Sequence, residues 1–114
     1  MNQPDHGRKV ALLGLVVFVL AVGVYANSLG NGFALDDEWI IATNERVHGI
    51  ERLPEVVSSP YWPSTAARMG LYRPVAVATY AVDWDLWNGS PLGFHAVNVA
   101  LHGLASLLVF LLLL

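Results

Sequence analysis

The chain has 114 residues, 55 % of them hydrophobic and only 13 % charged, with a formal net charge of −3 and no cysteine. That is about half the usual charged share, which excludes an ordinary soluble domain. The acidic balance excludes nucleic acid as a partner, because phosphate binding needs a basic surface, and the missing cysteine excludes disulfides, thiolate nucleophiles and Cys-ligated zinc.

Residues 1–9 form a short polar start that ends in Arg8-Lys9. Residues 10–26 follow as 17 apolar or small residues with no Asp, Glu, Lys or Arg. At 1.5 Å per residue such a helix is about 25 Å long, against a hydrocarbon core of roughly 30 Å. Tyr25 suits the membrane interface, and Asn27-Ser28 would cap the exit. The run is longer than a usual signal-peptide core, and Tyr25-Ala26-Asn27 makes a poor cleavage site, which favours an uncleaved anchor. The positive-inside rule then puts Arg8-Lys9 in the cytoplasm and residues 27–93 on the extracytoplasmic side. The expected location is a bacterial inner membrane, or the endoplasmic reticulum in a eukaryote.

Residues 27–93 carry eight acids and four arginines, a charge of −4 with His neutral. Gly30, Gly32, Asn27 and Asn31 predict a turn leading into three consecutive carboxylates, Asp36, Asp37 and Glu38. Apolar neighbours flank them: Phe33, Ala34 and Leu35 before, Trp39, Ile40 and Ile41 after. Desolvation and mutual repulsion there are expected to raise at least one pKa, as in a general base or a metal site. The competing reading is an acidic turn capping the next helix. Residues 39–57 read as one or two short helices with Pro54 in a first turn, and Ser58 to Ser64 as a breaker-rich loop. Pro74 to about Trp87 reads as a helix too short to span, interfacial or re-entrant, with Trp84 and Trp87 at the membrane surface.

Asn88-Gly89-Ser90-Pro91 is a turn, although it is formally a glycosylation sequon. Residues 94–114 form a second span of 21 residues, again without Asp, Glu, Lys or Arg. It ends in four leucines with no charged stop, which suggests the start of a longer polytopic protein.

Other polar residues stand out against this background. His95, Asn98 and His102, with Ser106 beyond, fall along one helical stripe. Polar groups at membrane depth are costly unless paired, so the stripe should face protein or a wet cavity, either packing helices together or facing substrate. A His-x6-His pair alone supports no metal claim. Arg73 precedes Pro74 and either snorkels to headgroups or binds a phosphate in bidentate fashion. Asp83-Trp84-Asp85 resembles an Asp-x-Asp metal motif, but residues two apart on a helix do not face each other. Asp83 would instead share a face with Thr79 and approach the acidic motif or Arg73.

Taken in order, Asn31-Gly-Phe-Ala-Leu-Asp-Asp37, Asn44, Tyr72-Arg-Pro74, Asp83 and Gly93-Phe-His-Ala-Val-Asn98 with His102 make a familiar series. The chain resembles the N-terminal part of the multispanning GT-C glycosyltransferases. In particular it resembles the transmembrane and tetratricopeptide repeat-containing protein O-mannosyltransferases and their bacterial relatives. The resemblance covers residues 10–114 and implies an all-α membrane fold, with two transmembrane helices flanking an extracytoplasmic loop of short interfacial helices. It implies transfer of a sugar, mannose among the candidates, from a polyprenyl- or dolichyl-phosphate carrier to a hydroxyl of a protein or glycan. Membrane lipid is then a further partner. Carried over, Asp36 is the general base and Asp37 its partner; the alternative alignment takes Asp37 and Glu38 as the acidic pair. Arg73 faces the carrier phosphate or supports the loop that does, and His95, Asn98 and His102 match the family's pattern at the start of the second span, where they pack helices near the donor site. No protein metal ligand is implied, and dependence on a divalent ion stays open. The alternative from another class is a non-enzymatic two-span protein whose acidic loop binds a partner or cation.

Overall fold

The computed structural model describes residues 3–63 and 70–114. Among them there is no strand, and they form an all-α arrangement with four α-helices. These are α1 (Gln3–Tyr25), α2 (Leu53–Ser58), α3 (Pro74–Trp87) and α4 (Pro91–Leu112), with four short 3₁₀ or π turns between α1 and α2. The chain divides into two compact units, Met1–Gly30 with His95–Leu114, and Asn31–Phe94.

The first unit pairs α1 with the body of α4. Both helices are long and apolar enough to cross a membrane. Only 6 % and 11 % of their most apolar windows are buried, so neither is the core helix of a soluble domain. Helix α1 starts well before the apolar run: Pro4 suits a first helical turn, and Asp5 reaches Lys9 one turn on at 3.9 Å. Its exit tightens into a 3₁₀ turn at Ala26–Gly30, where an open glycine turn was expected. There the Ser28 hydroxyl donates to the Tyr25 carbonyl at 2.7 Å and satisfies one of the orphan acceptors.

The two helices run antiparallel. Gly14 lies against Leu107 and Phe110, whereas Gly103 lies against Val22 and Phe18. A Cβ at Gly103 would stand 2.8 Å from Val22 Cγ2, and one at Gly14 would stand 2.9 Å from Leu107 Cδ1. Small residues here let the backbones approach, as van der Waals packing between membrane helices requires.

The second unit contains two apolar clusters. Val47, Val56 and Val77 pack with Tyr61, Ala78 and Tyr80, joining α2 to α3. Ile40, Ile41 and Phe94 pack with Phe33, Tyr61, Trp62, Tyr80 and Trp84. Tyr61 and Tyr80 belong to both, so they stand where the clusters meet.

Residues 39–57 hold more and shorter pieces than the one or two helices expected. A π turn covers Glu38–Ala42, closed by Thr43 N donating to the Glu38 carbonyl at 3.0 Å, and 3₁₀ turns cover Glu45–Val47 and Ile50–Arg52 before α2. Two residues break the run. Asn44 is 4 % exposed and extended, its amide donating to the Ile40 carbonyl and its oxygen accepting from Arg46 N. Gly49 sits at φ +150°, where a Cβ would collide with the Glu51 carboxylate. The Asp85 carboxylate of α3 accepts from Ile50 N at 2.9 Å, and His48 stacks on Trp84 with ring centres 3.6 Å apart, tying these turns to α3.

Pro54 lies in the first turn of α2, and α3 has the bounds its sequence suggested, Pro74 to Trp87. The turn after α3 uses left-handed Asn88 (φ 51°) and Gly89 (φ 70°). Helix α4 begins at Pro91, three residues before the expected Phe94, because proline suits a first helical turn. Gly93 is close enough to the Trp87 ring that any Cβ would overlap it, which explains a glycine there. Ser64, at the end of the expected breaker-rich loop, lies outside the described residues.

Candidate functional site

In the second unit the acidic triplet lies on a tight turn. Asp37 N donates to the Ala34 carbonyl at 3.1 Å, and Glu38 N to that of Leu35 at 3.3 Å. Leu35 occupies the left-handed region at φ 53°, which costs a branched side chain about 1–2 kcal/mol. Its side chain is 88 % exposed, so packing does not offset that strain. The kink separates the acids. Asp36 and Glu38 are exposed, whereas Asp37 is half-buried. The fold therefore half-buries the middle residue of the triplet and leaves its neighbours in the open. Glu38 also opens the π turn, its carbonyl accepting from the Thr43 hydroxyl at 2.7 Å.

Asp37 lies within electrostatic reach of Tyr80, a half-buried phenol on α3. Burial, helped by the Tyr61 hydroxyl and the Asp37 charge, pushes Tyr80 up to about 12, while Arg73 pulls the other way. Arg73 stands at the N-cap of α3, its guanidinium 5.2 Å from the centre of the Tyr61 ring. Tyr61 is anchored by its own backbone N, which donates to the Leu71 carbonyl at 2.8 Å, and by edge-to-face contact with Trp62. Arg73 thus lies at the Tyr61 ring, and Tyr61, Asp37 and Arg73 all act electrostatically on Tyr80. They combine a carboxylate able to take a proton with a cation able to hold an anion. No group of three His, Asp or Glu side chains among the described residues converges as a metal site would need.

Asp83 is 8 % exposed, and burial raises its pKa. The Asp-x-Asp pair does not act together, since Asp85 serves the Ile50 turn.

In the first unit His95, Asn98 and His102 line one groove of about 240 Å³ with Tyr25, Ser28 and Val99. The Tyr25 and His102 rings meet edge to face at 4.7 Å. Ser106, the last residue of the stripe, is outside the groove lining and returns its hydroxyl to the His102 carbonyl at 2.9 Å. The groove brings polar side chains of α4 together with the exit of α1, at the end of an otherwise apolar helix pair.

Four residues in these two places were not singled out by sequence as site residues: Tyr61, Tyr80, Tyr25 and Ser28. A usable signal existed for Tyr80. Val77, Tyr80, Ala81 and Trp84 recur at helical spacing on α3, and tyrosine is the only one with a hydroxyl.

The chain is similar over most of its length to several protein O-mannosyl-transferases. It is 30 % identical over 113 residues to one from Caenorhabditis elegans, covering 96 % of this chain and 16 % of that protein. With Tmtc1 of Drosophila melanogaster the identity is 35 % over 95 residues, 81 % of this chain and 11 % of that protein. With Tmtc2 of the same organism it is 36 % over 108 residues, 91 % of this chain and 12 % of that protein. The chain thus spans about a sixth or less of the length of these relatives. No family model and no solved structure matches it.

Proposed function

We propose that this chain, which resembles the protein O-mannosyl-transferases, forms part of a membrane glycosyltransferase that moves mannose from a lipid-linked phosphate donor to a protein hydroxyl. Several relatives carry that transferase name at 30–36 % identity, and two helices here have membrane-spanning length and apolarity. The observation that carries the reading is the 30–36 % identity to protein O-mannosyl-transferases over most of the chain, and an acidic turn together with an arginine at the Tyr61 ring is compatible with it.

Such a reaction needs two opposite services. A carboxylate takes the proton of the acceptor hydroxyl as its oxygen attacks the anomeric carbon. A cation then stabilises the phosphate that leaves with the carrier lipid. In this reading the acidic turn supplies the base, Asp37 or Asp36, and Arg73 holds the phosphate through its planar fork. Attack from the face opposite the leaving phosphate is a single displacement with inversion and no covalent intermediate. The His95, Asn98 and His102 groove takes polar parts of the donor at the membrane boundary. Residues 27–93 face the extracytoplasmic side of a bacterial inner membrane or the endoplasmic reticulum lumen.

Expressing the complete reading frame and supplying radiolabelled polyprenyl- or dolichyl-phosphate mannose to its membranes tests this. Label should pass to protein, and nucleotide-linked mannose should not replace the lipid donor once carrier synthesis is blocked. Transfer from the nucleotide donor alone would refute the lipid-donor reading.

A further inference from the structure

We infer that the groove of the first unit is a subsite for an uncharged sugar headgroup, taking the hydroxyls of a hexose carried on a lipid. The inference deepens the proposed function, on which it rests for the identity of that lipid.

The groove lies where the apolar run of α1 ends. Tyr25 is the penultimate residue of that run, and its ring meets the His102 ring at 4.7 Å. One residue on, Gly103 packs against Val22 and Phe18. The lining therefore sits at the edge of the hydrocarbon, where lipid headgroups begin. At about 240 Å³ it has room for far more than one water, whose share of liquid volume is about 30 Å³.

The lining is polar but uncharged. Tyr25, Ser28, His95, Asn98 and His102 form it with Val99, and no Asp, Glu, Lys or Arg among the described residues does. The charged side chains on α1, Asp5, Arg8 and Lys9, lie at its opposite end. From Lys9 to Tyr25 the helix runs about 24 Å. A phosphate in the groove would be an anion without a partner, at a depth where unpaired charge is costly. The dipole of α4 does not supply that partner, because it fades within the first turn and Asn98 and His102 lie beyond it. A sugar hydroxyl instead both donates and accepts, and the lining offers both. The Asn98 amide carries two N–H donors and a carbonyl acceptor, and a neutral imidazole carries one nitrogen of each kind. Ser28 spends its proton on the Tyr25 carbonyl, which leaves its oxygen to accept. Among the described residues the Asn98 amide and the His102 imidazole make no hydrogen bond, and both residues are exposed. A hydroxylated headgroup satisfies them where the lipid tails below cannot.

The test uses the complete reading frame in phosphatidylcholine nanodiscs, with histidine labelled at ¹⁵N and the His102 signal assigned by its loss in His102→Gln. Three probes are titrated: an alkyl mannoside, a short-chain prenyl phosphomannose, and the same prenyl phosphate without sugar. Both mannosides should move the His102 signal, and the sugar-free phosphate should leave it in place. Asn98→Leu should weaken the response at least tenfold, and Asn98→Gln, which keeps the amide, should recover part of it. Circular dichroism and melting confirm folding, and Ser28→Ala, with at least a threefold weakening, serves if Asn98→Leu does not fold. Competition between the phosphomannose and a mannosyl diacylglycerol identifies the source. Preference for the first marks the donor, preference for the second a membrane glycolipid, and either one supports the subsite. A signal moved as far by the sugar-free phosphate, or unmoved by both mannosides, overturns it. If the mannosides bind as expected while wild type transfers no mannose, the subsite stands and the proposed function falls.

Discussion

The guanidinium of Arg73 lies 5.2 Å from the centre of the Tyr61 ring, at the N-cap of α3, and makes no ion pair among the described residues. In the proposed function its planar fork takes the phosphate of the donor. Arg73→Lys keeps the charge but loses bidentate geometry and ring stacking. It should weaken donor use by about tenfold, mostly in KM, and Arg73→Gln should do more. Steady-state transfer at varied lipid-linked donor checks this; equal KM in all three proteins would remove Arg73 from the phosphate.

Leu35 pays a conformational cost for the acidic turn. With φ at 53° and the side chain 88 % exposed, its conformation matters more than its contacts. Leu35→Val puts a β-branched residue in the left-handed region and should lower stability by about 1 kcal/mol. Leu35→Gly relieves the strain and should leave the melting temperature equal or higher. Thermal unfolding of the two variants in detergent checks the order.

Burial raises the pKa of Asp83, so the folded state holds its proton more tightly than the unfolded state does. Relative stability from this group is fully present below the ordinary carboxylate pKa and is lost as pH rises through the raised value. At neutral pH the buried charge is a burden. Asp83→Asn should therefore melt higher than wild type at pH 7, with the gap closing as pH falls through the raised pKa and gone below the ordinary carboxylate value. A gap independent of pH would show that ionisation of Asp83 is not the cause.

Gly103 sets how closely α4 meets α1, since a Cβ there would stand 2.8 Å from Val22 and 2.9 Å from Phe18. Gly103→Leu should destabilise the helix pair by about 1–3 kcal/mol through overpacking. Gly103→Ala should cost less, because the neighbouring side chains can move by a few tenths of an ångström. Melting in detergent followed by circular dichroism reads both.

Much of the secondary structure was legible because single residues dictated it. Pro74 opens α3 and Asn88-Gly89 close it, and two uncharged runs mark the long helices. The region between Glu38 and Arg52 was not legible, because Asn44 and Gly49 break it through a buried side-chain hydrogen bond and an unusual φ. Neither leaves a periodic signal. The acidic triplet was visible as three equal carboxylates, yet the left-handed Leu35 makes them unequal by burying only the middle one partway. Tyr61 and Tyr80 read as ordinary aromatics in a chain rich in them. Tyr61 meets Arg73 across 12 residues of sequence, and Tyr80 feels the Asp37 charge across 43, which local pattern does not carry.

The most direct test of the transferase account compares wild type, Asp36→Asn and Asp37→Asn in the complete reading frame, measuring mannose transfer from the lipid-linked donor with membrane insertion as the control. The account predicts at least a 100-fold loss in one Asn variant, with all three proteins inserted equally. Transfer surviving undiminished in both variants would contradict it and remove the acidic turn from the chemistry.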